Sequence, residues 1–332
     1  MTGIDQALIS KIENQNRIPT EKQVHLLAEV LNLDYLELRS LWLADKVVYL
    51  LQKESDPSAI MALAEPRIEY LIKTKVPLIP QLSDHLLVRL QAVDELKRQW
   101  IDKRPLNQLQ LQKMNEYFMI EYTYDSNRIE GNTLTLQETT MIVQQGLTIG
   151  GKSVAEHLEA INHAEAVDCL LLLINGGEML NRRTVLELHR LVLKGTNSLN
   201  AGRYRQTQVH ITGSEHLPPQ PYLLDKMMED YFITYQRIKN SVHPVIVAAD
   251  MHERLASIHP FIDGNGRTAR LIMNMILMQH GYTICNLKGD NPSRLRYYQA
   301  LDNVQRNNEP EHFYELIIDE VELSLKKHLA MT

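Results

Sequence analysis

The chain has 332 residues, 44% of them apolar and 23% charged, with a formal net charge of −6. That length suits about two domains and at least one sizeable core. The charge excludes a whole-protein basic footprint for nucleic acid. Glycine is scarce: there are 14, where ordinary usage of roughly 7% would give about 23. A dinucleotide-binding α/β fold or an all-β sandwich needs more turn glycine than this. The composition therefore favours a mainly α protein with tight connections. Cys169 and Cys285 lie far apart without metal spacing, which argues against a disulfide or zinc framework. The longest apolar run, Cys169 to Ile174, is far short of the roughly 20 residues that span a bilayer. No charged-then-apolar leader pattern opens the sequence. A cytoplasmic protein with reduced thiols and no membrane partner is expected.

In chain order, Thr20 caps a helix carrying Val24, Leu27, Ala28 and Leu31 at helical spacing. Asp34 caps the next, with Leu38, Leu41, Leu43 and Val47. A more broken stretch follows, punctuated by Pro57, Pro66, Pro77 and Pro80, and a domain boundary falls at about 75–80. The division is a small helical segment, 1–78, and a larger domain, 79–332. Helices are expected at about 82–102 and from Pro105 to about Glu130, ended by Gly131. Thr135 with Glu138 and Ser153 with Glu156 read as capping boxes starting helices 136–145 and 154–175. A further helix covers about 182–194. The alternating run Thr207-Gln-Val-His-Ile-Thr212, followed by Gly213-Ser214, reads as one short β-hairpin. Helices resume at about 221–239, 244–258, 265–280, 291–307 and 310–327.

Three glycine patterns invite a phosphate reading. Gly146-x-x-x-x-Gly151-Lys152-Ser153 matches a P-loop letter for letter, but a capped helix precedes it where a strand is required. It reads as a helix–loop–helix connection, with P-loop ATPase activity through Lys152 as the lesser hypothesis. Gly264-Asn-Gly266-x-x-Ala269 fails as a dinucleotide fingerprint for the same lack of a βαβ unit. A calcium loop around Asp263 and Asn265 fails because Arg267 takes a ligand position and Asn274 stands where Glu is needed.

A longer string is more specific: His259-Pro-Phe-Ile-Asp263-Gly-Asn265-Gly-Arg267-Thr-Ala-Arg270. Pro260 disfavours helical conformation at His259, so a helix should end there. Gly264 and Gly266 let backbone N–H groups approach an anion, and the next helix points its N-terminal donors at the same place. Arg267 and Arg270 lie one turn apart on one face and suit phosphate oxygens. Asp263 supplies one hard oxygen ligand, the usual protein share for a magnesium ion held on phosphates. His259 is a titratable base beside them. Each piece alone has a structural explanation; their convergence within twelve residues points to a site.

This string resembles the signature of the Fic family, His-x-Phe-x-Asp/Glu-Gly-Asn-Gly-Arg-x-x-Arg, at every signature position. The resemblance covers about residues 80–330. It implies a helical core with a β-hairpin flap and transfer of AMP from ATP to a Ser, Thr or Tyr hydroxyl of a protein, the chain itself included. His259 would deprotonate the acceptor, Asp263 would hold Mg²⁺, and Gly264, Asn265, Gly266 and Arg267 would cradle phosphates. Arg270 would engage the γ-phosphate. The segment around Ile211 and Gly213 would be the flap that aligns the target by strand pairing. Tyr297 and Tyr298 would pack the adenine, with core packing as their alternative.

Ser126-x-x-x-Glu130-Gly131-Asn132 resembles the family's inhibitory motif, on a helix of about 106–130. A carboxylate at a helix C-terminus opposes the dipole, so Glu130 wants a cation. Arg128 would be a local partner. Arg270 would be a functional one, since that pairing would occupy the γ-phosphate position.

Ile9-Ser-Lys11-Ile-Glu13-Asn14-x-x-Arg17-Ile-Pro19 and Leu26 to Leu31 resemble phage-repressor helix-turn-helix domains, from the recognition helix onward. A recognition helix without its scaffold should not hold a groove-reading pose, and Lys11, Arg17 and Lys22 are a modest basic count. DNA binding is therefore the weaker expectation, and contacts to a second copy of the chain stay open. The competing readings are a DNA-binding regulator whose Fic portion senses nucleotide, and an enzyme that removes AMP from a modified protein.

Overall fold

The computed structural model describes residues 5–14, 17–73, 80–104 and 106–332. The chain divides into two compact units, Met1–Val76 and Pro77–Thr332. Among the described residues every regular element is a helix.

The first unit holds α1 (Gln6–Glu13), α2 (Glu21–Leu31), α3 (Tyr35–Leu51) and α4 (Pro57–Lys73). Asp34 caps α3 by accepting from the Glu37 N–H, and the Gln23 side chain reaches back to the Thr20 N–H at 2.8 Å. Val24, Ala28 and Trp42 form the small buried centre, and the Trp42 indole donates to the Pro19 carbonyl. The broken stretch expected after residue 52 is instead largely α4. Asp56 accepts from the Ala59 N–H, so Pro57 opens a first turn, where a missing N–H costs nothing. The helix then runs through Pro66. Two of the four expected proline breaks, Pro57 and Pro66, thus lie inside a helix, and Pro77 lies outside the described residues.

The second unit holds ten α-helices and one short 3₁₀ turn. They are α5 (Asp84–Asp102), α6 (Gln108–Ile129), α7 (Leu136–Gln145), α8 (Val154–Asn175) and α9 (Arg182–Val192), then α10 (Leu224–Ile238) after a 3₁₀ turn at Pro221–Leu223. The chain closes with α11 (Pro244–Ile258), α12 (Asn265–Gln279), α13 (Asn291–Asn307) and α14 (Glu311–Ala330). Both expected capping boxes are present, at Thr135 with Glu138 and at Ser153 with Glu156. α6 starts at Gln108, where Asn107 accepts from the Leu109 N–H, later than the Pro105 start expected; Pro105 itself lies outside the described residues.

α12 is the central element. It packs against α11, α8, α9 and α6 and is buried without a break from Arg267 to Leu277. A helix covered on all sides has no polar face to show. Burying α12 also buries the two arginines at its start, and the site is built there.

The Lys152 loop joins α7 to α8, with Gly146 ending one helix at φ +66° and Ser153 capping the next. The Lys152 ammonium donates to the Thr133 carbonyl at 2.6 Å. No strand feeds this loop, so the P-loop reading is set aside.

The expected hairpin at 207–214 is also corrected. The tight turn exists, with the Ser214 N–H donating to the Ile211 carbonyl and Gly213 at φ +80°. Neither limb is a strand. The carbonyls that a ladder would use are taken by side chains: Arg205 donates to Thr207 and Pro219, and Gln208 donates to Pro218. Alternation supplied the period of a strand, but local side chains won the backbone groups.

Candidate functional site

The site starts where α11 stops. Pro260 keeps His259 out of the helix, and His259 caps α11 in the left-handed region at φ +48°, ψ +57°. The chain then turns through Phe261 to Asp263 and re-enters helix at Asn265. Asn265 closes this loop on itself. Its side chain accepts from the Phe261 N–H and donates to the Phe261 carbonyl, both at 3.0 Å. Gly264 sits at φ +77° as the cap of α12. A Cβ there would press on Val192, His189 and Leu193, so glycine is needed both for its conformation and for α9's close approach.

His259 is half-buried. His259 Nδ1 lies 3.2 Å from the Ala256 carbonyl. A carbonyl only accepts, so Nδ1 carries the proton and Nε2 keeps its lone pair. Burial pushes this imidazole below its ordinary value, and the Arg205 charge adds to the drop. The Ala256 carbonyl and Glu130 pull the other way without reversing it. Neutral imidazole with a fixed tautomer is what a general base requires.

The two arginines are buried, at 2% for Arg267 and 1% for Arg270. Arg267 Nη2 lies 3.3 Å from Asp263 Oδ1, and its Nη1 lies 3.6 Å from Glu159 Oε1. Its Nε is buried with no hydrogen-bond partner. An orphaned donor on a buried guanidinium at a helix N-terminus is a place for an anion. Asp263 is the exposed carboxylate of the group, and its Oδ1 also accepts from the Gly264 N–H at 2.6 Å.

Arg270 donates to Glu130 Oε1 at 2.6 Å, to the Ser126 carbonyl at 2.8 Å and to the Ser126 hydroxyl at 3.1 Å. Burial alone would raise the Glu130 pKa, but the charges of Arg270 and Arg267 outweigh it and hold the carboxyl below its usual range. The local alternative is not used: Arg128 turns to the Tyr124 hydroxyl at 2.7 Å. Gly131 follows at φ +101°. Gly266 completes the fit, because a Cβ there would overlap Glu130 Oε1 and press on Arg270 Nη1.

The tyrosine pair splits. Tyr297 is 3% exposed; its hydroxyl lies 3.5 Å from Arg270 Nη1 and 3.1 Å from His252 Nε2. It stands behind Arg270 as a support. Tyr298 is half-exposed, and its hydroxyl donates to the Ile129 carbonyl at the end of α6. Ile211 and Gly213 occupy the turn described above.

Three further residues hold the site and carry no local sequence signal. His189 stacks on Phe261, its Nδ1 accepts from the Gly202 N–H and its Nε2 donates to the Asp263 carbonyl. Burial takes it down to about 4, so it stays neutral. Glu159 bridges Arg267 to the segment that follows α6, accepting from the Asn132 side chain at 2.8 Å. Arg205 donates through Nε to the His259 carbonyl at 2.9 Å. Their partners are distant in sequence or are backbone carbonyls, and neither leaves a motif.

Residues 179–277 match the Fic/DOC family profile. The chain is 35% identical over 261 residues to the protein adenylyltransferase Fic of Nematostella vectensis, covering 77% of this chain and 58% of that one. It is 32% identical over 301 residues to the protein of the same name from Drosophila mojavensis, covering 89% and 56%. The chain thus spans a little over half the length of these relatives. Among solved structures, Fic-1 from C. elegans superposes with a TM-score of 0.64 at 25% identity, covering 94% of this chain and 87% of that one. A Fic domain containing signaling protein from Bacteroides thetaiotaomicron gives 0.66 at 26% identity, covering 72% and 96%.

Proposed function

Because the chain carries a domain of the Fic family, we propose that it transfers AMP from ATP to a Ser, Thr or Tyr hydroxyl of a protein, and that Glu130 restrains this reaction. The observation that carries the reading is the convergence at the start of α12. A neutral His259 with its Nε2 lone pair ends α11, and across the short connecting loop the orphaned Arg267 Nε and the Arg270–Glu130 pair stand at the start of α12. In the proposed step His259 Nε2 takes the acceptor proton as the hydroxyl oxygen bonds to the α-phosphorus. The bond from that phosphorus to the bridging oxygen breaks, and pyrophosphate leaves with the electron pair. This chemistry rests on positioning and on stabilising charge, which buried arginines and backbone N–H groups supply without reorganisation.

Asp263 would hold Mg²⁺. A single exposed carboxylate beside an anion cradle fits that ion, which keeps most of its water and takes the rest of its ligands from phosphates. When bound it would neutralise phosphate charge; orientation and proton removal belong to the protein residues. Glu130 restrains the reaction by using the Arg270 donor that a γ-phosphate would use. Residues 1–78 are assigned to the helix-turn-helix-like segment and 79–332 to the Fic domain.

The test is intact-mass spectrometry of the full chain carrying Glu130→Gly, incubated with ATP and magnesium. A mass gain of one adenosine monophosphate less water is expected, together with pyrophosphate. His259→Ala in the same background abolishes both. Stoichiometric ATP binding without pyrophosphate release from the Glu130→Gly chain would sink the enzyme reading in favour of a nucleotide sensor.

A further inference from the structure

Arg205 is the most buried cation of the site that the reaction leaves unused. It is 2% exposed and has no carboxylate within ion-pairing distance among the described residues. A buried charge without a counter-charge is costly unless every donor is satisfied. Here oxygens on two sides of the site satisfy it. On one side Nε donates to the His259 carbonyl at 2.9 Å, and the Arg205 backbone N–H donates to Pro260 at 2.9 Å. On the other, Nη1 donates to the Thr207 carbonyl at 2.9 Å and to Gln208 Oε1 at 3.4 Å, and Nη2 donates to the Pro219 carbonyl. Thr207 and Pro219 bracket the turn at Ile211 and Gly213 that is read as the target-aligning flap.

We propose that Arg205 is a positioning residue: one guanidinium fixes the backbone of the general base and closes both ends of the flap segment, so the two move as one rigid piece. The proposal rests on reading His259 as the base. Its physical content has three parts. His259 sits at φ +48°, a region side-chain-bearing residues populate sparsely, so its backbone needs an external hold. The segment 207–219 has no strand ladder, so its ends need an anchor other than backbone pairing. A rigid planar fork can serve all these carbonyls at once, which an ammonium cannot.

The charge has a second consequence. His259 faces Arg205 and His216 from the 193–220 connection, Glu130 from the end of α6, and the Ala256 carbonyl from its own helix. Arg205 opposes protonation of the imidazole, while Glu130 favours it.

The experiment compares Arg205, Arg205→Lys and Arg205→Gln in the full chain carrying Glu130→Gly. The His259 imidazole is titrated by NMR, its resonance identified by its loss in His259→Ala. Hydrogen exchange is followed over 207–219, and AMP transfer is measured against ATP concentration. Arg205→Gln removes the charge, so the His259 midpoint should rise. Arg205→Lys keeps the charge and loses the fork, so the midpoint should stay. Its kcat should then fall on the order of 10- to 100-fold at unchanged KM for ATP, with faster exchange over 207–219. A folded Arg205→Gln chain with the parental midpoint overturns the proposal. So does a folded Arg205→Lys chain with parental exchange, which decides alone if the Gln chain does not fold. Absence of AMP transfer in the Glu130→Gly parent would instead defeat the functional reading, and the titration and exchange would still judge Arg205.

Discussion

Glu130→Gly is the perturbation whose size follows most directly from the structure. Arg270 is 1% exposed and the Glu130 side chain 32%, with 2.6 Å between the bonded atoms. Cutting a fully buried pair costs about 3–5 kcal/mol. Exposure of Glu130 brings this one nearer to about 1.5–3 kcal/mol, the range for a hydrogen bond to a charged group. If the carboxylate must leave before a γ-phosphate can settle on Arg270, only about 1–10% of molecules are open at any moment. Each 1.4 kcal/mol is a factor of ten, so removing Glu130 should raise AMP transfer about 10- to 100-fold. The fold should tolerate the change. Arg270 keeps the Ser126 carbonyl and hydroxyl and Tyr297, and losing a carboxylate from a helix C-terminus returns a few tenths of a kcal/mol. The assay is transfer of label from α-labelled ATP with magnesium, beside Glu130→Gln. The Gln chain keeps the shape and a neutral hydrogen bond, so it should fall between parent and Gly. A folded Gly chain that labels no better than the parent refutes the competition between Glu130 and phosphate.

Arg267→Ala should lower ATP affinity by tenfold or more, roughly one charged hydrogen bond to phosphate, while Lys152→Ala should leave it unchanged, because Lys152 is spent on Thr133; calorimetric titration with ATP separates them, and the opposite result would restore the P-loop reading. The His259 pKa is lowered, so the base is neutral above its ordinary value and remains so somewhat below it. The rate should therefore hold at neutral pH and fall only as pH drops through a midpoint under the usual histidine range near 6.5; a limb above that value would contradict the burial argument. Buried His189 and His328 lie at about 4 and His252 at about 3. The unfolded chain binds protons at these positions from about pH 6.5 downward and the folded chain does not, so their stability is present above that value and is lost as pH falls toward 3–4. Thermal melts between pH 7 and 4.5 should show the loss, and His252→Gln should flatten it.

How much of this was legible in the sequence follows from where each residue finds its partner. The caps at Thr135 and Ser153 bond three residues away, so a short pattern contains the whole interaction. The string from His259 to Arg270 is readable for the same reason: the end of one helix, a short loop and the start of the next hold the histidine, the carboxylate, the glycines and both arginines. The Glu130–Arg270 contact spans 140 residues and was reachable only through the resemblance, since composition and periodicity say nothing about such a pair. At the hairpin and over the stretch before residue 73, one local signal is compatible with more than one backbone structure. Alternation at 207–212 describes side-chain period, while the backbone bonds were decided by Arg205 and Gln208. Proline at 57 marks a helix start when Asp56 precedes it. The support of the site was the least legible part. His189 holds a carbonyl 74 residues away and Arg205 one 54 residues away, and every residue of a chain has a carbonyl. The reacting groups must be special residue types, and they leave a motif. A buried donor aimed at backbone leaves no such motif, so the place of Arg205, a buried cation without an acid beside it, becomes visible only once the chain is folded.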